Sequence, residues 1–186
     1  MKLKQLLEMS RVEDKDWKFN NPILGKKISE EIVLQLQFVS NLKDEISLFL
    51  EPNFSKRLRF VLVDQEKMLV VGIMELEQTN LKVEHCSKIF VVDEIEILKE
   101  YRKQGLAEKT YDLVMRKIGC LMTDEVLYKG AVHLWKKMIK SHQVIGFDLK
   151  TKQIIETGDF EELFGKGIEK KDIRLILRES SVIFGD

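Results

Sequence analysis

The β-rich run Ile89-Phe-Val-Val-Asp-Glu-Ile-Glu-Ile97 and the hexapeptide Arg102-Lys-Gln-Gly-Leu-Ala107 constrain this chain more than any other stretch. An amphipathic pattern follows the hexapeptide, so a strand must hand over to a helix through a turn that contains Gly105. Glycine lets the backbone come close to a ligand. The first N–H groups of the helix, with the positive end of its dipole, then point at whatever anion sits there. The junction predicts an anion cradle within an α/β fold.

The surrounding pattern supplies the elements. Residues 58–63, the polar turn Asp64-Gln-Glu-Lys67 and residues 68–77 read as a β-hairpin, and residues 89–98 as the strand that leads into the glycine turn. Ala107, Tyr111, Val114 and Ile118 then recur at helical spacing and predict a core-facing stripe. Cys120-Leu-Met122 is a short strand candidate, and Leu127, Ala131, Leu134 and Met138 repeat the helical spacing, giving a β-α-β-α order. Residues 143–148 and 153–157, separated by Leu149-Lys-Thr-Lys152, suggest a further hairpin, and residues 173–177 a last strand. The first 50 residues are the least readable. Ile32, Leu34, Leu36 and Phe38 alternate as in a strand, yet Ser29-Glu-Glu is an equally good helix start.

Composition narrows the class of molecule. With 186 residues, 44% of them hydrophobic, one domain spanning residues 1–186 has room for a core, with residues 143–186 as its C-terminal hairpin and tail. The net charge is zero and neither sign forms a long block, so no footprint for generic nucleic-acid or membrane binding is expected. Cys86 and Cys120 are too few for a disulfide framework, and no signal-type or membrane-length apolar run is visible. These features point to a reducing cytoplasm. Two prolines and no Gly/Ser-rich linker argue against a hinge between modules.

Ile95-Glu-Ile-Leu-Lys-Glu-Tyr-Arg-Lys-Gln-Gly-Leu-Ala107 resembles the acetyl-CoA signature of the GCN5-related N-acetyltransferases, in which an apolar strand end and a Tyr-Arg precede Arg-x-x-Gly-x-Gly/Ala. The element order extends the resemblance over residues 58–139, although the specific residues lie in that one segment. The resemblance implies an acyltransferase fold with a mixed, mostly antiparallel sheet flanked by helices and splayed beside the phosphate turn. It implies acetyl-CoA as cosubstrate, with Arg102, Lys103, Gln104, Gly105, Leu106 and Ala107 holding the pyrophosphate, largely through backbone N–H groups. Ile97 and Leu98 would lie along the pantetheine arm, whose amides pair as an added strand would. The spacing from Thr123-Asp124 through Gly130-Ala131 to Leu134-Trp135 also resembles a phage-type branch of acetyltransferase-like proteins.

Acyl transfer to an amine requires a neutral amine, a donor for the developing oxyanion and a fate for the CoA thiolate. Glu94 and Glu96 share one face of their strand and are candidates to take the amine's proton. Glu96, between Ile95 and Ile97 and next to where the resemblance puts the thioester, is the first choice, with a raised pKa expected from partial burial. Its alternative is a solvated or lysine-paired strand residue. Asp124 is the second candidate, with Thr123-Asp124 as a helix cap the competing reading. Many members of the family carry a tyrosine on the second helix as general acid, and Trp135 stands at the matching position. An indole N–H cannot deliver that proton, and Trp135 suits packing. Tyr128 lies nearly two turns earlier and substitutes poorly, while Tyr111 belongs to the core stripe. His85, Cys86, Cys120, His133 and His142 lack paired zinc spacing, so no metal site is expected. Asp159-Phe-Glu-Glu-Leu-Phe reads as a short surface helix. These residues predict acetyl transfer to an amine of unknown class; a non-catalytic protein of the same fold, or a phage-type enzyme acting on nucleotides or DNA, are the alternatives.

Overall fold

Around residue 32 the helix-start reading holds, and a strand begins only at Gln37. In the computed structural model, which describes residues 23–52, 57–125, 127, 129–155 and 172–178, the Ser29 side chain accepts from the Ile32 N–H and caps a short helix, α1 (Glu30–Gln35). Leu36 returns to extended backbone (φ −86°, ψ 143°), and β1 (Gln37–Lys43) follows. Val33 and Leu36 pack, with Ile23, Leu24 and Ile28, against Phe49, Val61, Val63, Val70 and Ile73. Ile32, Leu34 and Phe38 are exposed, so the alternation that suggested a strand through residue 32 did not mark a buried face.

The described residues gather into two compact units. The first holds β1, β2 (Ile46–Leu50), β3 (Arg57–Asp64), β4 (Leu69–Gln78) and β5 (Ile89–Ile97), an antiparallel meander in sequence order. The hairpin expected across Asp64-Gln-Glu-Lys67 is β3–β4. Its register slips by one residue beyond Leu62↔Gly72, and a second slip in β4–β5 leaves Asp93 as the extra residue before Glu75↔Glu94. A 3₁₀ turn, Lys99–Tyr101, leads from β5 toward α2 (Leu106–Ile118). The buried face of α2 is Leu106, Thr110, Tyr111, Val114 and Met115. Of the expected stripe, Tyr111 and Val114 are buried, whereas Ala107 and Ile118 are half-buried. The face is rotated because Thr110 can be buried: its hydroxyl donates to the Leu106 carbonyl at 2.8 Å.

The second unit holds β6 (Cys120–Thr123), α3 (Lys129–Ser141), β7 (Gln143–Asp148), β8 (Ile154–Ile155) and β9 (Ile173–Arg178), with strand order β6-β9-β7-β8 and every pairing antiparallel. The last strand is therefore inserted between β6 and β7, and all six of its residues are buried. On α3 the fully buried residues are Trp135 and Met138; Ala131 and Leu134 are only half-buried, and Leu127 precedes the helix. Cys86 and Cys120 form a disulfide. One bond is no framework, but nothing in the sequence signalled this pairing, because chain topology decides proximity: the Cys120 N–H donates to the Lys88 carbonyl at 3.1 Å, bringing Cys120 beside the loop that carries Cys86. Tyr128, residues 156–157 of the expected hairpin and the Asp159–Phe164 segment lie outside the described residues. Among the described residues no helix is long and apolar enough to cross a membrane.

Candidate functional site

β5 ends at Ile97, and the next eight residues make the turn. Leu98 is fixed by its N–H to the Val71 carbonyl (2.9 Å), and Tyr101 and Arg102 donate from their N–H groups to the Leu98 and Lys99 carbonyls. Lys103 and Gly105 both take positive φ, 62° and 78°. This costs glycine nothing and strains a residue that carries a Cβ, so the left-handed conformation at Gly105 explains its glycine. A Cβ built at Gly105 would meet nothing within 4 Å, so the space beside the turn is open. The first backbone bond of α2 runs from the Lys109 N–H to the Gly105 carbonyl. The N–H groups of Leu106 and Ala107 precede it, at the helix's first turn, where the backbone donors of a helix point toward an anion.

The side chains of the hexapeptide divide into two groups. Arg102, Lys103 and Gln104 are exposed, whereas Leu106 is buried and Ala107 half-buried. Leu106 and Ala107 can therefore serve an anion only through their amides. Arg102 Nε donates to the Ile97 carbonyl at 2.8 Å, folding its side chain back on the strand end. Gln104 Nε2 donates to the Glu100 carbonyl at 3.3 Å, and Lys43 Nζ donates to Gln104 Oε1 at 3.4 Å, tying the turn to β1. Ile97 is buried and Leu98 half-buried, so Ile97 offers a ligand mainly its backbone.

A second feature braces the turn. Tyr101 Oη donates to Asp64 Oδ2 at 2.7 Å, and Lys67 Nζ lies 3.0 Å from that same oxygen and 2.9 Å from the phenol oxygen. The other carboxylate oxygen accepts the Lys67 N–H at 2.9 Å. Burial would raise the Asp64 pKa, but these bonds from Tyr101 and Lys67 outweigh it and hold the pKa below the ordinary value. Asp64-Gln-Glu-Lys67 reads in sequence only as a turn. Its contact with Tyr101, 37 residues away, carries no local signal.

On β5, Glu96 is 5% exposed and Glu94 half-buried. They lie on one face, as alternation requires, with Glu94 opposite Glu75 and Glu96 opposite Ile73 on β4. Burial, then the charge of Glu96 and a hydrogen bond with it, then the charges of Glu75 and Asp93, push the Glu94 pKa up to about 7. Glu94 thus sits among three other carboxylates, those of Glu96, Glu75 and Asp93. Arg59 neutralises part of this cluster, with Nε 2.7 Å from Glu75 and Nη1 3.1 Å from Glu51. Asp124 belongs to the other unit and is exposed, its Oδ1 accepting from the Glu125 N–H at 2.6 Å. Thr123 Oγ1 instead accepts from the Leu175 N–H at 3.1 Å. Trp135 is fully buried within its own unit.

No family model matches the sequence, and no curated protein matches it. Solved structures do. An acetyltransferase from Trypanosoma brucei is 18% identical with a TM-score of 0.37, over 45% of this chain and 61% of its own. An aminoglycoside antibiotic 6′-N-acetyltransferase from Acinetobacter baumannii is 17% identical with a TM-score of 0.36, over 49% of this chain and 66% of its own. The chain spans less than two thirds of the length of these two. Arabidopsis thaliana NAA60 in complex with acetyl-CoA is 10% identical with a TM-score of 0.38, over 94% of this chain and 90% of its own.

Proposed function

We propose that the protein is a CoA-dependent N-acyltransferase that moves an acetyl group from acetyl-CoA to an amine. The observation that carries this reading is the left-handed Gly105 at the junction of β5 and α2, within the Tyr-Arg-x-x-Gly-x-Ala string and with open space beside it. Residues 102–107 would receive the pyrophosphate, chiefly through the amides of residues 103–107, and Ile97 and Leu98 would lie along the pantetheine arm. The attacking amine must first lose a proton. Glu96 is the candidate acceptor, buried beside Glu94, whose own carboxyl is pushed up to about 7 and could receive the proton on its way to solvent. Asp124 is the second candidate, and its exposure suits it to the acceptor's approach rather than to a tuned base.

A non-catalytic CoA-binding protein is the competing reading, favoured by the full burial of Trp135 where the family resemblance would call for a proton donor. A phage-type activity on nucleotides or DNA is the other. Calorimetric titration with acetyl-CoA and with CoA tests the common premise, and no binding up to millimolar ligand would sink all CoA-based readings. Thiol release in the presence of a panel of amines, nucleotides and DNA then separates them: release with an amine supports the proposal, release only with nucleotides or DNA the phage-type reading, and binding without release the non-catalytic one. In Gly105→Trp the added Cβ would meet no other protein atom within 4 Å, although the left-handed φ strains it. Loss of CoA affinity with an unchanged fold is expected; retained affinity would mean that the turn is only a connector.

A further inference from the structure

We propose that Asp64 is a positioning residue for the phosphate turn, acting through the Tyr101 hydroxyl. This rests on the acyltransferase reading and extends it to residues outside the glycine string. A surface hairpin turn does not need a buried charge, and taking a carboxylate out of water is costly unless its oxygens are bonded. Asp64 is nevertheless 4% exposed. One of its oxygens suffices for its own turn, by accepting the Lys67 N–H. The other reaches Tyr101, at the end of the 3₁₀ turn that delivers Arg102 and the two left-handed residues. Lys67 Nζ bonds both Asp64 Oδ2 and Tyr101 Oη, closing a three-membered network, and stands 5.1 Å from the Tyr101 ring centroid.

The position of this network gives it its role. Between the strand end and α2, Leu98 is tied to Val71 and Arg102 to Ile97, both within or beside β5 and β4. The Tyr101–Asp64 bond ties the middle of the same segment to the far end of β3. Fixed at both points, the backbone enters Lys103 and Gly105 in one conformation, so their amides need not be ordered when an anion binds. Presenting amides in place is what an anion cradle requires.

The test uses Tyr101→Phe, which keeps the ring and deletes one hydroxyl, and Asp64→Asn, which keeps shape and removes the charge. Two readouts are taken on folded full-length chain: calorimetric affinity for CoA, and the backbone amide resonances of Lys103, Gly105 and Leu106. Positioning predicts about tenfold weaker CoA binding in either variant, the effect of one lost hydrogen bond, together with shifted or broadened resonances across residues 103–106. A merely structural role would lower thermal stability and confine the shifts to the β3–β4 turn. Wild-type affinity and unmoved Gly105 resonances in both folded variants would overturn the proposal. If wild-type protein binds no CoA, the functional reading fails, and the amide resonances alone still decide whether Asp64 orders the turn.

Discussion

Glu94 makes a residue-scale prediction about pH. Its ordinary pKa of 4.5 applies to the unfolded chain, and in the folded protein it is pushed up to about 7. Between those values the folded state holds the extra proton, so its contribution is fully present below pH 4.5 and is lost as pH rises through 7. A shift of that size corresponds to about 3 kcal/mol, and solvent at a half-buried site reduces this to about 1 kcal/mol. Denaturant unfolding should therefore show a loss of roughly 1 kcal/mol between pH 5 and 8 from this pair. Glu94→Gln should flatten that slope, and an unchanged slope would show that the pair is not strained. On the proposed acyl-transfer reading, Glu96→Gln should lower turnover about 100-fold if Glu96 takes the amine's proton. Gly72 makes a steric prediction. A Cβ there would lie 3.0 Å from Leu62 Cδ2 and 3.2 Å from the Glu96 carbonyl oxygen. Gly72→Ala should cost about 1–2 kcal/mol in thermal or urea unfolding, by forcing β4 and β5 apart beside the glutamate pair.

At the scale of elements, most strands and both long helices were legible because each carries its own period. The β3–β4 hairpin, β5, α2 and α3 follow from alternation or from i, i+4 spacing within one segment. The neighbour of a strand in its sheet does not follow from such local patterns. Residues 173–177 read as a strand, yet nothing local says that β9 lies between β6 and β7. For the same reason the Asp64–Tyr101 network was invisible, since it joins segments far apart in sequence. The proposed site is contiguous at Arg102 to Ala107 and so could be read as a candidate from the sequence, whereas its contact with Asp64 could not. The inserted strand gives a prediction of its own. Thr123 Oγ1 accepts the buried Leu175 N–H, continuing the β6–β9 pairing past Met122↔Ile176 with a side chain. Thr123→Val keeps the shape and leaves that N–H without its acceptor, a loss of about 1–3 kcal/mol. Faster hydrogen exchange at Leu175 should accompany it, and wild-type exchange there would refute the assignment.

At the scale of the whole molecule, the path of the chain gives the disulfide its meaning. The chain leaves the second unit after Ile89, builds β5 and α2 in the first, and returns at Ile118. Cys86 and Cys120 lie just outside the two crossings, 34 residues apart in sequence, and their bond closes that excursion into a loop. A loop of this length removes enough unfolded-state entropy to stabilise the fold by about 3–4 kcal/mol in the chain-entropy model. Cys86→Ser or reduction should therefore weaken the unit that holds both cysteines, and hydrogen exchange should rise in β6 and β9 before it rises in β1–β3. Equal exchange in the oxidised and reduced proteins would show that the strand pairing alone closes the excursion. A disulfide persists only where thiols are not kept reduced, so in a reducing cytoplasm the pair would stand as two thiols and the molecule would work without this contribution. CoA affinity measured in both redox states decides whether that matters to the turn. The turn's own anchors, Val71, Ile97 and Asp64, all lie in the first unit, so reduction is expected to lower stability while leaving affinity within about twofold.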